Sequence, residues 1–121
     1  MSVWPVPCSP TPAATAGEPV RKGVGAFAAG VLCANSLPHL ATAVTGHGHL
    51  TPLRGRDSAP GVNALWAAMN LAAGLALLRA TARGQGRWDV RLVAFDAGAA
   101  TFAAWMAISE STMRVNWDQG A

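Results

Sequence analysis

The side chains able to do chemistry cluster between Asn35 and Asn70. Asn35 and His39 stand four apart in NSLPH, and Asn63, Trp66 and Asn70 follow at spacings of three and four in NALWAAMN. On helices, each set forms one stripe. Carboxamides and an imidazole on facing stripes can satisfy one another and fix helix register, or they can line a small pocket with His39 as its titratable member. Between the two stripes lies GHGHL, whose His47 and His49 invite a metal reading together with His39, with Asp57 as a further ligand. Imidazole suits zinc or copper. The set lacks a cysteine and a second carboxylate, so the same histidines also read as ordinary loop residues. Asp96 is the one acid well inside an apolar segment. Acids in that setting face a bundle interior by default and mark proton or substrate paths. The competing reading pairs Asp96 with Arg79 or Arg91, whose long side chains reach along a helix. No nucleophile–base pair, phosphate loop or dinucleotide fingerprint occurs. The sequence therefore points to no catalytic residue, and to no cofactor apart from a metal on those histidines.

These residues need elements to hold them, and the charge pattern supplies three. No charged residue occurs between Lys22 and Arg54, a window of 31 residues, or between Asp57 and Arg79, a window of 21. A third window, Leu92 to Ser109, holds only Asp96. About 20 apolar residues suffice to cross a bilayer. Charged residues make up 12% of the chain, where soluble domains carry about 25%. A soluble Ala-rich bundle is the alternative, favoured by a mean hydropathy of only +0.26. Such a bundle needs a charged face on every helix, and none of the three segments has one. The expected fold is all-α: an integral membrane bundle with transmembrane helices at about 23–45, 61–81 and 90–109. Pro38 removes a hydrogen bond to the Ala34 carbonyl and is expected to kink the first helix. Small residues at Gly25, Ala26, Ala29, Gly30 and Ala34, and at Ala94, Ala97 and Gly98, allow close helix approach in lipid. Cys33 reads as a small packing residue.

The flanks divide the chain. Residues 1–20 contain five of the eight prolines and no periodicity, and read as a disordered tail without the basic start or apolar run of a signal peptide. A start at Val20 or Val24 would still leave the expected helices whole. Residues 21–111 form the transmembrane domain, and 112–121 a polar tail. The net charge of +3 does not argue for nucleic acid, because the basic residues sit at segment ends, not on one patch. Arg21, Lys22, Arg79, Arg83, Arg87 and Arg91 fall on one side of the membrane, against Arg54, Arg56 and Arg114 on the other. The positive-inside rule then places the N-terminus in the cytoplasm. Trp66 and Trp105 fall near the outer interface, where Trp is preferred.

The N-x-x-P-H element ending at His39, the T-P of the following loop and the N-x-x-W helix start at Asn63 resemble a set of small bacterial integral membrane proteins. The layout is also faintly similar to small membrane proteins of the DoxX-like kind. These resemblances cover about residues 30–75 and imply a multi-pass helical bundle in a bacterial cell membrane; they imply no activity. The favoured function is a non-enzymatic accessory or assembly subunit, in a homo-oligomer or a larger membrane complex within the lipid bilayer. Two rivals are a small transporter or ligand carrier, with an outward polar pocket and Asp96 as proton-coupled group, and a membrane protein binding metal through His39, His47 and His49.

Overall fold

The structure is a computed structural model that describes residues 17–82 and 90–113. It contains helix α1 (Gly17–Thr45), strands β1 (His49–Thr51) and β2 (Gly55–Ser58), helix α2 (Pro60–Thr81) and helix α3 (Val90–Met113). All three helices are long and apolar enough to cross a membrane, so the all-α reading holds for the helices. Their lengths of 29, 22 and 24 residues correspond to roughly 43, 33 and 36 Å of helical rise. The 30 Å hydrocarbon thickness of a typical bilayer is about the length of the shortest.

Helix α1 starts six residues earlier than its apolar stretch. Pro19 is tolerated there because first-turn amides have no intrahelical acceptor. Glu18 and Lys22 close an i,i+4 ion pair at 2.7 Å across that turn. The Pro-rich tail therefore cannot extend to residue 20; its remainder, residues 1–16, lies outside the described residues. So do the ARGQGRW connection from Arg83 onward and the tail after Met113. The α1 helix runs through Pro38 without interruption. It ends at Gly46, whose φ of 75° is the left-handed geometry that glycine supplies after a helix. The third helix runs four residues past Ser109, to Met113.

Helix α1 is the central element: it packs on both α2 and α3, which scarcely touch each other among the described residues. Among the described residues, the fully buried apolar side chains are alanines, Ala26, Ala29 and Ala67. With no large side chains between them, the backbones meet. A Cβ on Gly30 would overlap the Phe95 carbonyl, and one on Gly98 would overlap the Phe27 carbonyl. A Cβ on Gly25 would lie 2.9 Å from Thr81, and one on Gly74 would lie 2.6 Å from the Cys33 sulfur. The small-residue spacing in α1 and α3 is thus used for close crossing, whereas Ala97 faces outward. Leu65, Leu75, Val93 and Ile108 also stand exposed on the outer surface, as suits side chains whose solvent is lipid.

The loop between α1 and α2 is an antiparallel two-stranded hairpin, where the sequence pattern shows only a turn-rich connection. His49 pairs with Ser58 and Thr51 with Gly55, with a bulge between. Strands of three and four residues with exposed polar side chains carry no alternating apolar signal. Two hydroxyls hold the hairpin from inside. Thr51 and Ser58 are each 1% exposed, their oxygens 2.7 Å apart. Ser58 donates to the Gly55 carbonyl at 2.8 Å, so the proton between the two hydroxyls comes from Thr51.

Candidate functional site

Two polar layers join α1 to α2. In the deeper one, Asn70 Nδ2 donates to the Trp66 carbonyl at 2.9 Å, and Asn35 Nδ2 donates to Asn70 Oδ1 at 3.0 Å. In the outer one, Asn63 Nδ2 donates to the Ser58 carbonyl at 2.8 Å and reaches the Ala59 carbonyl at 3.3 Å. Its Oδ1 then lies 2.8 Å from His39 Nδ1. The stripe spacing thus brings the expected partners together, and Asn63 extends the layer into the hairpin. The carbonyl freed by Pro38 is not the acceptor for Asn35, whose donor goes to Asn70.

These bonds have directions, and the directions follow from elementary chemistry. A backbone carbonyl only accepts, so the Trp66 and Ser58 carbonyls fix which amide ends of Asn70 and Asn63 face them. Asn70 must turn its oxygen to Asn35, and Asn63 its oxygen to His39. His39 Nδ1 therefore carries a proton, and in the neutral ring Nε2 is an acceptor. Asn35 likewise donates through Nδ2 and keeps Oδ1 as an acceptor. Asn63 is fully buried, and His39 and Asn70 are each 5% exposed. Buried polar groups of this kind are affordable only when paired, and no buried side-chain polar atom among the described residues lacks a partner.

A cavity of about 450 Å³ opens against these layers at the hairpin end. Asn35, His39 and Trp66 form one wall, and His49, Leu50 and Thr51 form the cap. The opposite wall is α3, through Phe102, Trp105, Met106, Ser109, Glu110 and Met113. Phe102, Met106, Ser109 and Met113 recur at helical spacing and form one stripe on α3, whose signal in the sequence is the same as that of a lipid-facing stripe. Trp105, read from the sequence as an interface anchor, lines this cavity as well. Asn63 and Asn70 are behind the wall and hold His39 and Asn35 in place.

His49 meets His39 edge to face, ring centroids 4.9 Å apart, and Trp66 approaches His39 in the same manner at 6.5 Å. Burial pushes the His49 pKa down, the neighbouring His39 pushes it further down, and Glu110 opposes both. His47, by contrast, is exposed and stands apart from this pair. The three histidines and Asp57 do not assemble: among the described residues no group of three or more His, Cys, Asp or Glu is placed to hold a metal ion.

Asp96 is a second departure. It lies on the outward surface of α3, exposed, and it forms no ion pair with Arg79 or Arg91 among the described residues. Arg91 reaches the Thr81 carbonyl instead. The interior of the α1–α3 crossing is filled by the Gly30 and Gly98 approaches, which leaves no room there for a carboxylate. Asp96 is therefore outside the cavity and cannot act within it. Comparison with family models, with curated proteins and with solved structures finds no match to this chain.

Proposed function

We propose that this chain is a non-enzymatic membrane protein that binds a small molecule in the cavity at the hairpin end. The observation that carries this is the cavity itself: about 450 Å³, within the 300–1,000 Å³ typical of small-molecule sites. Its walls combine large apolar side chains with a few positioned polar groups, the usual composition of such sites. The ligand-carrier reading is favoured over a bare assembly subunit because register alone would not require open space beside the Asn layers. Proton coupling through Asp96 is not part of the proposal, since Asp96 lies on the other side of α3. The N-x-x-P-H and N-x-x-W elements build one wall of the cavity, so kinship with bacterial membrane proteins carrying them would be kinship in this site.

The proposed setting is a bacterial cell membrane with the N-terminus cytoplasmic and the hairpin outside. It rests on the distribution of Lys and Arg. A second copy or a larger complex is also proposed, supported by the outward Asp96. Asp96 lies in the second turn of α3, short of the helix centre, where a lipid-facing carboxylate costs about 2.5–3.5 kcal/mol on insertion scales; its cost is smaller than that, and a covering partner would relieve it. The binding function is tested by purifying the protein in mild detergent and identifying co-extracted small molecules by mass spectrometry. Ser109→Phe and Met113→Trp, which fill the cavity from α3, should abolish a ligand that the wild type retains. Equal recovery from wild type and both filled variants refutes the reading.

A further inference from the structure

His39 is held in one tautomer by a chain of hydrogen bonds that starts on the backbone. The Ser58 carbonyl can only accept, so it takes Asn63 Nδ2, and Asn63 Oδ1 takes the proton on His39 Nδ1. The neutral ring is left with Nε2 as an acceptor. That nitrogen has no hydrogen-bond partner among the described residues, although His39 is only 5% exposed. No buried side-chain nitrogen or oxygen among those residues is unpaired, so Nε2 is not sealed inside the protein. It opens on the cavity that His39 lines.

The hydroxyls of the wall do not supply the missing proton. Ser109 gives its own to the Met106 carbonyl at 3.1 Å, and Thr51 gives its own to Ser58. Asn35 stands one helical turn before His39 on α1 and lines the same wall. One hydrogen of its Nδ2 goes to Asn70, and the amide keeps its second hydrogen and Oδ1. The wall thus offers a nitrogen that can only accept and, a turn away, a carboxamide that can donate. A hydroxyl matches both, because it gives one proton and its oxygen accepts another. Glu110 already has a partner of its own, so this carboxylate sets no demand for a counter-ion. A hydroxyl that keeps its hydrogen bonds also leaves water at far less cost than an ionised group. Trp66, Phe102, Trp105 and Met106 provide apolar surface for the rest of a ligand.

We infer that the cavity takes an uncharged alcohol or phenol, whose hydroxyl donates to His39 Nε2 and accepts from Asn35 Nδ2, with an apolar body against the Trp, Phe and Met side chains. This rests on the cavity being a binding site, as proposed above, and adds the class of its ligand. An ether of the same shape has no proton to give. It would cover Nε2 and leave it unpaired, and an acceptor removed from water without a partner is costly.

The test uses the full chain in mild detergent and two probes, 3-phenylpropan-1-ol and its methyl ether. Binding is followed by calorimetry, with each probe's partition into micelles measured separately and Ser109→Phe and Met113→Trp as filled-cavity controls. The alcohol is expected to bind at least about fivefold more tightly than the ether, and both filled variants should lose it. The comparison is made in the wild type, so it does not depend on a His39 variant folding. Nitrogen NMR of protein carrying isotope-labelled histidine gives a second readout, with His39 assigned by elimination in His47→Asn and His49→Asn. Its Nε2 should have the signal of an unprotonated ring nitrogen, and that signal should move with the alcohol and much less with the ether. If the ether binds as tightly as the alcohol, and the filled variants lose both, the cavity binds ligands and the hydroxyl inference is wrong. A His39 ring protonated at Nε2 instead of Nδ1 would overturn it as well. If neither probe binds, or if binding persists in both filled variants, the cavity reading itself is refuted.

Discussion

The Asn35–Asn70 contact makes a prediction whose asymmetry comes from the direction of its hydrogen bonds. Replacing Asn70 with Leu removes two bonds: the one to the Trp66 carbonyl at 2.9 Å and the one from Asn35 at 3.0 Å. It also leaves Asn35 Nδ2 without an acceptor. Replacing Asn35 with Leu removes only the second bond, and Asn70 keeps its anchor on the Trp66 carbonyl. A polar group left unpaired in a buried setting costs about 1–3 kcal/mol. Interhelical hydrogen bonds in membrane proteins contribute about 0.6 kcal/mol on average and about 1.7 at most. Asn35 is only half-buried and borders the cavity, so water reaching it softens the loss of its partner. We therefore expect Asn70→Leu to cost about 2 kcal/mol and Asn35→Leu about 1 kcal/mol, from the same ranges. The double change should cost less than the sum by about 0.6–1.7 kcal/mol, because the second substitution removes the orphan left by the first. Unfolding midpoints of the four proteins in a graded denaturing-detergent series give the cycle directly. Additivity within about 0.3 kcal/mol would mean that the two side chains do not meet. A larger loss for Asn35→Leu than for Asn70→Leu would contradict the bond directions drawn between these two side chains.

The glycine crossings differ in what would have to move. Gly30→Ala and Gly98→Ala press a methyl against backbone carbonyls and should cost at the upper end of about 1–3 kcal/mol in detergent unfolding; Gly74→Ala meets the Cys33 sulfur first, at 2.6 Å, so adding Cys33→Ala should recover part of its loss. For His49, the folded pKa is lowered, so the unfolded chain binds the proton more readily. Its contribution to stability is full above the ordinary imidazole pKa and is lost as pH falls toward the lowered folded value. Detergent unfolding midpoints should therefore drop across that window in the wild type and drop less in His49→Asn; an identical pH profile in both would refute it. In a chain whose native cysteines are replaced, an external impermeant thiol reagent should label a cysteine at His47 and spare one at Gln85, and the reverse pattern would invert the membrane orientation.

What the sequence disclosed, and what it did not, follows from the kind of packing. Two charge-free windows and a third holding only Asp96 mark the three helices, because a bilayer disfavours charge along its depth. The stripes of Asn35 with His39 and Asn63 with Asn70 are legible because polar groups in such windows need partners of complementary chemistry. Asp96 shows where the argument from polarity fails. On α3 the inward positions are occupied by backbone approach at Gly98, so the acid stays outside although acids usually face in. The hairpin escaped because its strands are held by the Thr51–Ser58 hydroxyl pair and by Asn63, not by an apolar face. The cavity wall on α3 escaped because Phe102, Met106 and Met113 read equally well as lipid-facing residues until α1 is placed opposite them.

The cavity itself follows from how side-chain size is distributed along α1 and α3. Where Gly30 meets the Phe95 carbonyl and Gly98 meets the Phe27 carbonyl, no side chain separates α1 from α3, and their backbones come into contact. Toward the hairpin, the same two helices present Asn35 and His39 on one side and Phe102, Trp105 and Met106 on the other. Side chains of that size cannot share the close spacing set at the crossing. The helices must separate there, while the Asn layers keep α1 closed against α2. The opening is therefore directed to the α3 side and is capped by the hairpin, which Asn63 fastens to α2 through the Ser58 carbonyl. A single carboxamide thus orients His39 within the wall and ties down the cap above it, so Asn63 couples the chemistry of the site to its closure.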